Sequence, residues 1–155
     1  MSRHRINPKA GWVSPAVLPK GPNGRTQCRY CQAEVPTGRR SFCSDVCVHE
    51  WKLRSDPTYV RRQIHRRDRG VCSACGLDTD RFKEAIARLP YGQRLPALLA
   101  RGFKQHGHLW EADHIQPVAD GGGECGLENY RTLCLPCHKL ATRQWRHTRA
   151  STKET

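Results

Sequence analysis

Asp113, His114, Asn129 and His138 are the residues whose types and order could do chemistry in this 155-residue chain. They are set in a frame of cysteines: Cys72-x2-Cys75 precedes them, Cys134-x2-Cys137 lies among them, and His138 directly follows the last cysteine. Two such pairs can hold a tetrahedral zinc. A zinc site that only props up a fold needs no aspartate, asparagine and two histidines besides. Phosphodiester hydrolysis does need such groups. A base must take a proton from the attacking water, and positive charge must offset what develops on the phosphoryl and leaving oxygens. Histidine titrates near neutral pH and can be that base. A carboxylate and an imidazole can hold one Mg2+ or Mn2+ ion and leave positions open for phosphate. Asparagine can fix a loop through hydrogen bonds without adding charge. Singly, each residue has a bland reading as a structural histidine, a turn aspartate or a neighbour of the zinc. Their order within one cysteine frame is what argues for chemistry.

The elements that must position them can be read from the pattern. Residues 108–115 alternate as a strand that Pro117 ends, and Asp120-Gly121-Gly122-Gly123 reads as a flexible loop. Residues 130–133 can return as a second strand, and a helix runs from Pro136 to about Arg146. The expectation is a β-hairpin and a helix gathered around a metal. His106 and His108, before the first strand, read as loop histidines. Upstream, Asp56-Pro57 is a helix start. The segment 57–69 places Val60 and Ile64 on one face and Arg61, Arg62, Arg66 and Arg67 on the rest. Segments 80–89 and 94–102 read as helices bent by Pro90, Gly92 and Pro96, an insertion packed on the core.

At 37% hydrophobic and 26% charged residues, the chain is poorly supplied for one large core. Such chains are often stapled by metal. Eight of its nine cysteines fall into close pairs, leaving Cys125 over. Cys28, Cys31, Cys43 and Cys47 suit a second zinc knuckle. A helix from Ser44 would follow it, packing Val46, Trp51 and Leu53 on the neighbouring domain, with His49 a bystander. Disulfides are the competing use of so many cysteines. No apolar secretory segment stands near the N-terminus, and no stretch approaches the about 18 apolar residues of a membrane span. The expectation is therefore zinc, and an intracellular protein with no membrane partner, nuclear in a eukaryote and cytoplasmic or nucleoid-associated in a bacterium or phage. The expected organisation is a disordered basic arm (1–26), a four-cysteine zinc knuckle (27–56), a catalytic domain (57–148) and a tail (149–155).

The net charge of +13 is uneven. Residues 112–142 carry two basic and four acidic side chains, an acidic stretch between basic flanks. Acidic groups suit a divalent cation, and basic flanks suit a phosphate backbone. DNA is the expected partner, with Arg61, Arg62, Arg66, Arg67, Lys139 and Arg143 as candidate contacts.

The run Trp110-Glu111-Ala112-Asp113-His114-Ile115-Gln116-Pro117, then Gly121-Gly122-Gly123, Asn129 and Cys134-Leu135-Pro136-Cys137-His138-Lys139, resembles the HNH, or ββα-metal, endonuclease family. The resemblance implies an α+β fold: a small, zinc-stabilised, treble-clef-like ββα-metal core, here with a helical insertion and an N-terminal zinc knuckle. It implies His114 as general base, Asp113 and His138 as ligands of a catalytic Mg2+ or Mn2+, and Asn129 as the residue that orients the loop and keeps His114 in place. Zinc on Cys72, Cys75, Cys134 and Cys137 would be structural. Over about residues 40–145 the chain is similar to the HNH module attached to an annealing helicase of the Swi/Snf type. Ser41-Phe42-Cys43-Ser44, Gly70-Val71-Cys72, Asp113-His114-Ile115 and the three glycines with Cys125 carry that likeness. It reads as a freestanding version. Cutting both DNA strands would take a dimer or two successive nicks. The rival is a non-catalytic zinc protein that binds nucleic acid, which leaves the Asp-His-Asn-His set unexplained. A redox module built on CxxC pairs lacks the thioredoxin-like βαβ pattern.

Overall fold

Asp56 joins the first two helices by serving both. Its backbone N–H closes α1 (Asp45–Ser55) on Lys52 O, and its carboxylate accepts from Tyr59 N to cap α2 (Pro57–Asp68), with Pro57 in the first position. This is seen in a computed structural model of the chain, which describes residues 13–104 and 107–151. Ser44 caps α1 as expected, accepting from Cys47 N at 3.2 Å. Trp51 and Leu53 are buried, but Val46 is 68% exposed, because at that end of α1 the inward position belongs to Cys47. Leu53 joins Val60 and Ile64 of α2 and Trp110 in one core cluster.

The insertion comprises α3 (Thr79–Arg88) and α4 (Tyr91–Ala100). It does pack on the core: Ile86, Leu98 and Phe103 bury against Cys72, Leu109, Leu133 and Cys134. α4 starts three residues before the expected position because Gln93 N finds the Pro90 carbonyl at 2.9 Å. Pro96 then stands inside the helix, with no N–H to give the Gly92 carbonyl.

β1 (Trp110–His114) and β2 (Tyr130–Cys134) form one antiparallel pair in which Asp113 faces Arg131 and His114 faces Tyr130. α5 (Leu135–Ser151) follows β2 with no intervening loop and runs past the expected end at Arg146. The architecture is thus two strands and a helix, braced by α2 on one side and by the insertion on the other. The α2 brace is polar at its end. The Arg67 guanidinium donates to Leu127 O at 2.8 Å, to Tyr130 O at 2.7 Å and to both oxygens of Asp68, whose Oδ2 also accepts from Thr132. Arg61 donates to Trp110 O at 2.7 Å and lies 3.8 Å over the Trp110 ring.

The end of the stretch expected as a disordered arm is folded. Glu34, the first acidic residue of the chain, accepts from Asn23 N and Asn23 Nδ2 at 2.8 and 2.6 Å, and Lys20 bridges to Thr26. Residues 1–12 of that arm, His106 and residues 152–155 of the tail lie outside the described residues. No helix among the described residues is long and apolar enough to cross a membrane.

Candidate active site and metal centres

Because α5 leaves β2 without a loop, its first turn is aimed back at the hairpin. An open cleft of about 450 Å³ lies there, lined among others by Asp113, His114, Ile115, Arg131, His138 and Trp145. Asp113 is mostly buried. Its Oδ2 accepts a hydrogen bond from Arg131 Nε at 2.9 Å, and Arg131 Nη2 stands 2.8 Å from the same oxygen in an ion pair. Its Oδ1 lies 3.6 Å from His138 Nε2. Two ligands each about 2.1 Å from one ion lie about 3–4 Å apart, so this pair fits a shared divalent cation, with the other positions left to water or phosphate.

His114 ends β1, and its ring packs on Tyr130 with centroids 4.3 Å apart. Burial, together with the Cys125 thiol beside it, pushes the Tyr130 hydroxyl up to about 12. It stays protonated at neutral pH, and its ring is the surface on which His114 rests.

Asn129 holds the chain that leaves His114. Its Oδ1 accepts from Gln116 N at 2.8 Å, and its Nδ2 donates to Gln116 O at 3.1 Å and Gly122 O at 2.9 Å. Its own carbonyl accepts from Ile115 N at 2.8 Å. A Cβ on Gly122 would collide with Gln116 O, and Gly121 takes φ +91°. The glycine segment is therefore a clasp and not the flexible loop expected. Asp120 fastens it to α5, accepting from Trp145 Nε1 at 2.6 Å.

The two cysteine quartets each gather their sulfur atoms within 4.8 Å of one another and could each hold a metal ion. Cys31–Cys43, Cys43–Cys47 and Cys75–Cys134 sulfurs are 3.4, 3.3 and 3.7 Å apart. These are far beyond the about 2.05 Å of a disulfide and close to the edge of a tetrahedron with about 2.3 Å Zn–S bonds. All nine cysteines are free, and Cys125 belongs to neither group. Electrostatics says the same. Burial opposes ionisation of Cys28 and Cys72, yet surrounding backbone N–H groups bring both thiols down to about 7. Their neighbours move the other way: Cys43 is pushed to about 12 by Cys47 and Cys31, Cys137 to about 11 chiefly by burial, and Cys134 is also driven up by burial. Four crowded thiols suppress one another's ionisation unless a cation joins them.

The four α2 arginines separate in the structure. Arg61 and Arg67 serve the brace described above, Arg67 while still exposed; Arg62 and Arg66 are exposed outside that brace, as are Lys139 and Arg143 on α5. His108 pairs with Glu111 at 2.7 Å. Arg131 and Trp145 are the cleft residues that sequence reasoning missed. Arg131 is one of only two basic residues in the acidic stretch, and pairing the two expected strands in register would have placed it opposite Asp113.

The family model described as HNH endonuclease matches residues 101–144, a span that contains the hairpin, the clasp and the start of α5. The crystal structure of the human ZRANB3 HNH domain aligns with a TM-score of 0.51 and 30% identity, over 65% of this chain and 98% of that domain. The chain belongs to the HNH endonuclease family. Among curated HNH relatives, the mouse "DNA annealing helicase and endonuclease ZRANB3" is 35% identical over 147 residues, which cover 78% of this chain and 14% of the relative. Its human counterpart is 32% identical over 76% of this chain and 13% of its own length. The chain thus spans about one seventh of the length of the curated relatives it matches. Membership of the HNH family supports a nuclease-type function for the cleft.

Proposed function

We propose that the chain is a divalent-metal-dependent DNA endonuclease whose cleft hydrolyses one phosphodiester bond at a time. The observation that carries this reading is Asp113 Oδ1 lying 3.6 Å from His138 Nε2 in the cleft that His114 also lines. His114 accepts a proton from the water that attacks phosphorus in line. As that bond forms, the bond from phosphorus to the 3′ oxygen breaks, and the leaving oxygen takes up a proton from solvent. The products are a 5′-phosphate and a 3′-hydroxyl. A divalent ion on Asp113 and His138, Mg2+ or Mn2+, would supply the positive charge that offsets the phosphoryl and leaving oxygens. Asn129 and the glycine clasp fix the backbone after His114. Exposed Arg62, Arg66, Lys139 and Arg143 meet flanking phosphates, while Arg61 and Arg67 hold α2 to the hairpin. Both cysteine quartets take structural Zn2+. The Asp113–His138 site is one cleft, so a double-strand cut takes two chains or two successive nicks.

The test is a supercoiled plasmid incubated with zinc-loaded protein, with and without added Mg2+ or Mn2+. Nicked or linear product with ligatable 5′-phosphate ends, only when the ion is added and absent for Asp113→Ala, supports the proposal. Gel retardation with no cleavage in any ion and on any DNA form would transfer the protein to the class of non-catalytic zinc binders.

A further inference from the structure

Asp113 and Arg131 are direct partners across the antiparallel pair. Opposite charges so placed usually brush past one another and contribute little. Here two guanidinium nitrogens converge on a single carboxylate oxygen, Oδ2, at 2.9 and 2.8 Å, and the other oxygen is left turned to His138. The hairpin has other holdings besides this pair: its ladder, and Leu133 and Trp110 buried in two different core clusters. It sits in the wall of the cleft, where Arg131 remains about one-third exposed. A positive charge therefore already stands beside the place a divalent ion would take.

We propose that Arg131 is a positioning residue for the metal ion: it restricts Asp113 to ligation through Oδ1 and holds the affinity for the ion down. This rests on the function proposed above. A carboxylate without partners can turn and chelate a cation through both oxygens, which would use up a coordination position. Turning Asp113 breaks the charge-assisted hydrogen bond from Arg131 Nε and draws Oδ2 away from Nη2. The position saved stays open for a phosphate oxygen, and the fixed charge opposes over-tight capture of the ion.

The probe is Mn2+, titrated into zinc-loaded full chain with free Mn2+ followed by electron paramagnetic resonance. Arg131→Gln is expected to bind Mn2+ about tenfold more tightly, the scale of one unit charge a few ångströms from a divalent ion under aqueous screening. Its kcat at saturating Mn2+ is expected to fall. A merely structural role would leave affinity unchanged or weaken it, and either result overturns the inference. Should Arg131→Gln fail to retain its zinc and fold, Arg131→Lys decides. Lysine keeps the charge but cannot grip one oxygen with a planar fork. A lower kcat with wild-type Mn2+ affinity supports the role, and an unchanged kcat overturns it. Asp113→Ala separates the two levels. Mn2+ binding that survives Asp113→Ala removes the metal site itself, whereas binding lost in Asp113→Ala but untouched by Arg131→Gln removes only the role of Arg131.

Discussion

In the N-terminal quartet, Gln32 N donates to Cys28 O at 3.0 Å and Cys28 N donates to Ala33 O at 2.7 Å. In the second quartet, Gly76 N donates to Cys72 O and Cys72 N to Leu77 O, both at 2.9 Å. Both turns need a left-handed residue, Gln32 at φ +65° and Gly76 at φ +71°. Each quartet is completed at the start of a helix, by Cys43 and Cys47 around α1 and by Cys134 and Cys137 around α5. The builds match, and the attachments differ. After Cys47 comes Val48, and α1 sends Trp51 and Leu53 into packing. After Cys137 comes His138, which turns to Asp113. Cys72 and Cys134 also belong to the core that holds the insertion, whereas Cys28 and Cys47 share a small cluster with Val35. Two like cysteine turns thus carry unlike neighbours, and the residues after the last cysteine decide whether the helix faces a core or a cleft.

The sharpest way to break this comparison is a matched pair of substitutions at the second cysteine of each knuckle, Cys75→Ala and Cys31→Ala. Structural zinc contributes about 10–16 kcal/mol in finger peptides, as much as a whole domain's stability. Cys75→Ala should lose one zinc equivalent together with the cooperative fold and cleavage. Cys31→Ala should lose one zinc equivalent and local protection around residues 27–47, yet cleave within a few-fold of wild type. Metal analysis, hydrogen exchange and plasmid cleavage read this out, and equal loss of cleavage in both variants would erase the distinction.

Smaller but still clear is Asn129→Ala, which removes the three side-chain bonds of the clasp and leaves the Gln116 and Gly122 carbonyls without that donor. A cost of about 1–3 kcal/mol in urea unfolding is expected, with reduced cleavage and retained zinc. Cleavage at the wild-type rate would show that the clasp does not position His114.

Next comes acid. The hydrogen bonds from Arg67 hold the Asp68 carboxyl below its ordinary 3.8, against a burial effect that raises it. A carboxyl depressed in the folded state contributes stability that is present above the unfolded value and lost as pH falls through the folded one. Wild type should therefore lose more stability than Asp68→Asn as pH drops below about 4. Identical pH profiles of urea unfolding for the two proteins would show that the α2 brace carries no such linkage. The smallest effect belongs to Arg62→Ala and Arg66→Ala. Each should lower the salt slope of DNA binding by about 0.9 without changing stability, and an unchanged slope would take α2 off the DNA.

Much of this was legible in the sequence because the informative residues are local. Ser44, Asp56-Pro57 and the spacing within each cysteine pair act through neighbours a few positions away, and Asp113-His114 is visible as two adjacent residues. The illegible part depends on register and on long-range pairing. Arg67 reads as one more phosphate contact until Tyr130 O, far along the chain, is seen to accept from it. Three glycines read as slack until Gln116 O is found where a Cβ would stand. Arg131 becomes interesting only once the strands are paired. Val46 matched an apolar helix pattern, but the cysteine cluster had already taken the inward position of that turn.

The central claim, that the second quartet's cleft hydrolyses DNA through His114, is tested most directly by single-turnover cleavage at saturating DNA and Mg2+. Wild type would be compared with His114→Ala at equal zinc content. A general base is worth about 10²–10⁴-fold, so the variant should cut at least about a hundredfold more slowly while binding DNA and Mn2+ as before. Cleavage by His114→Ala at the wild-type rate would contradict the account.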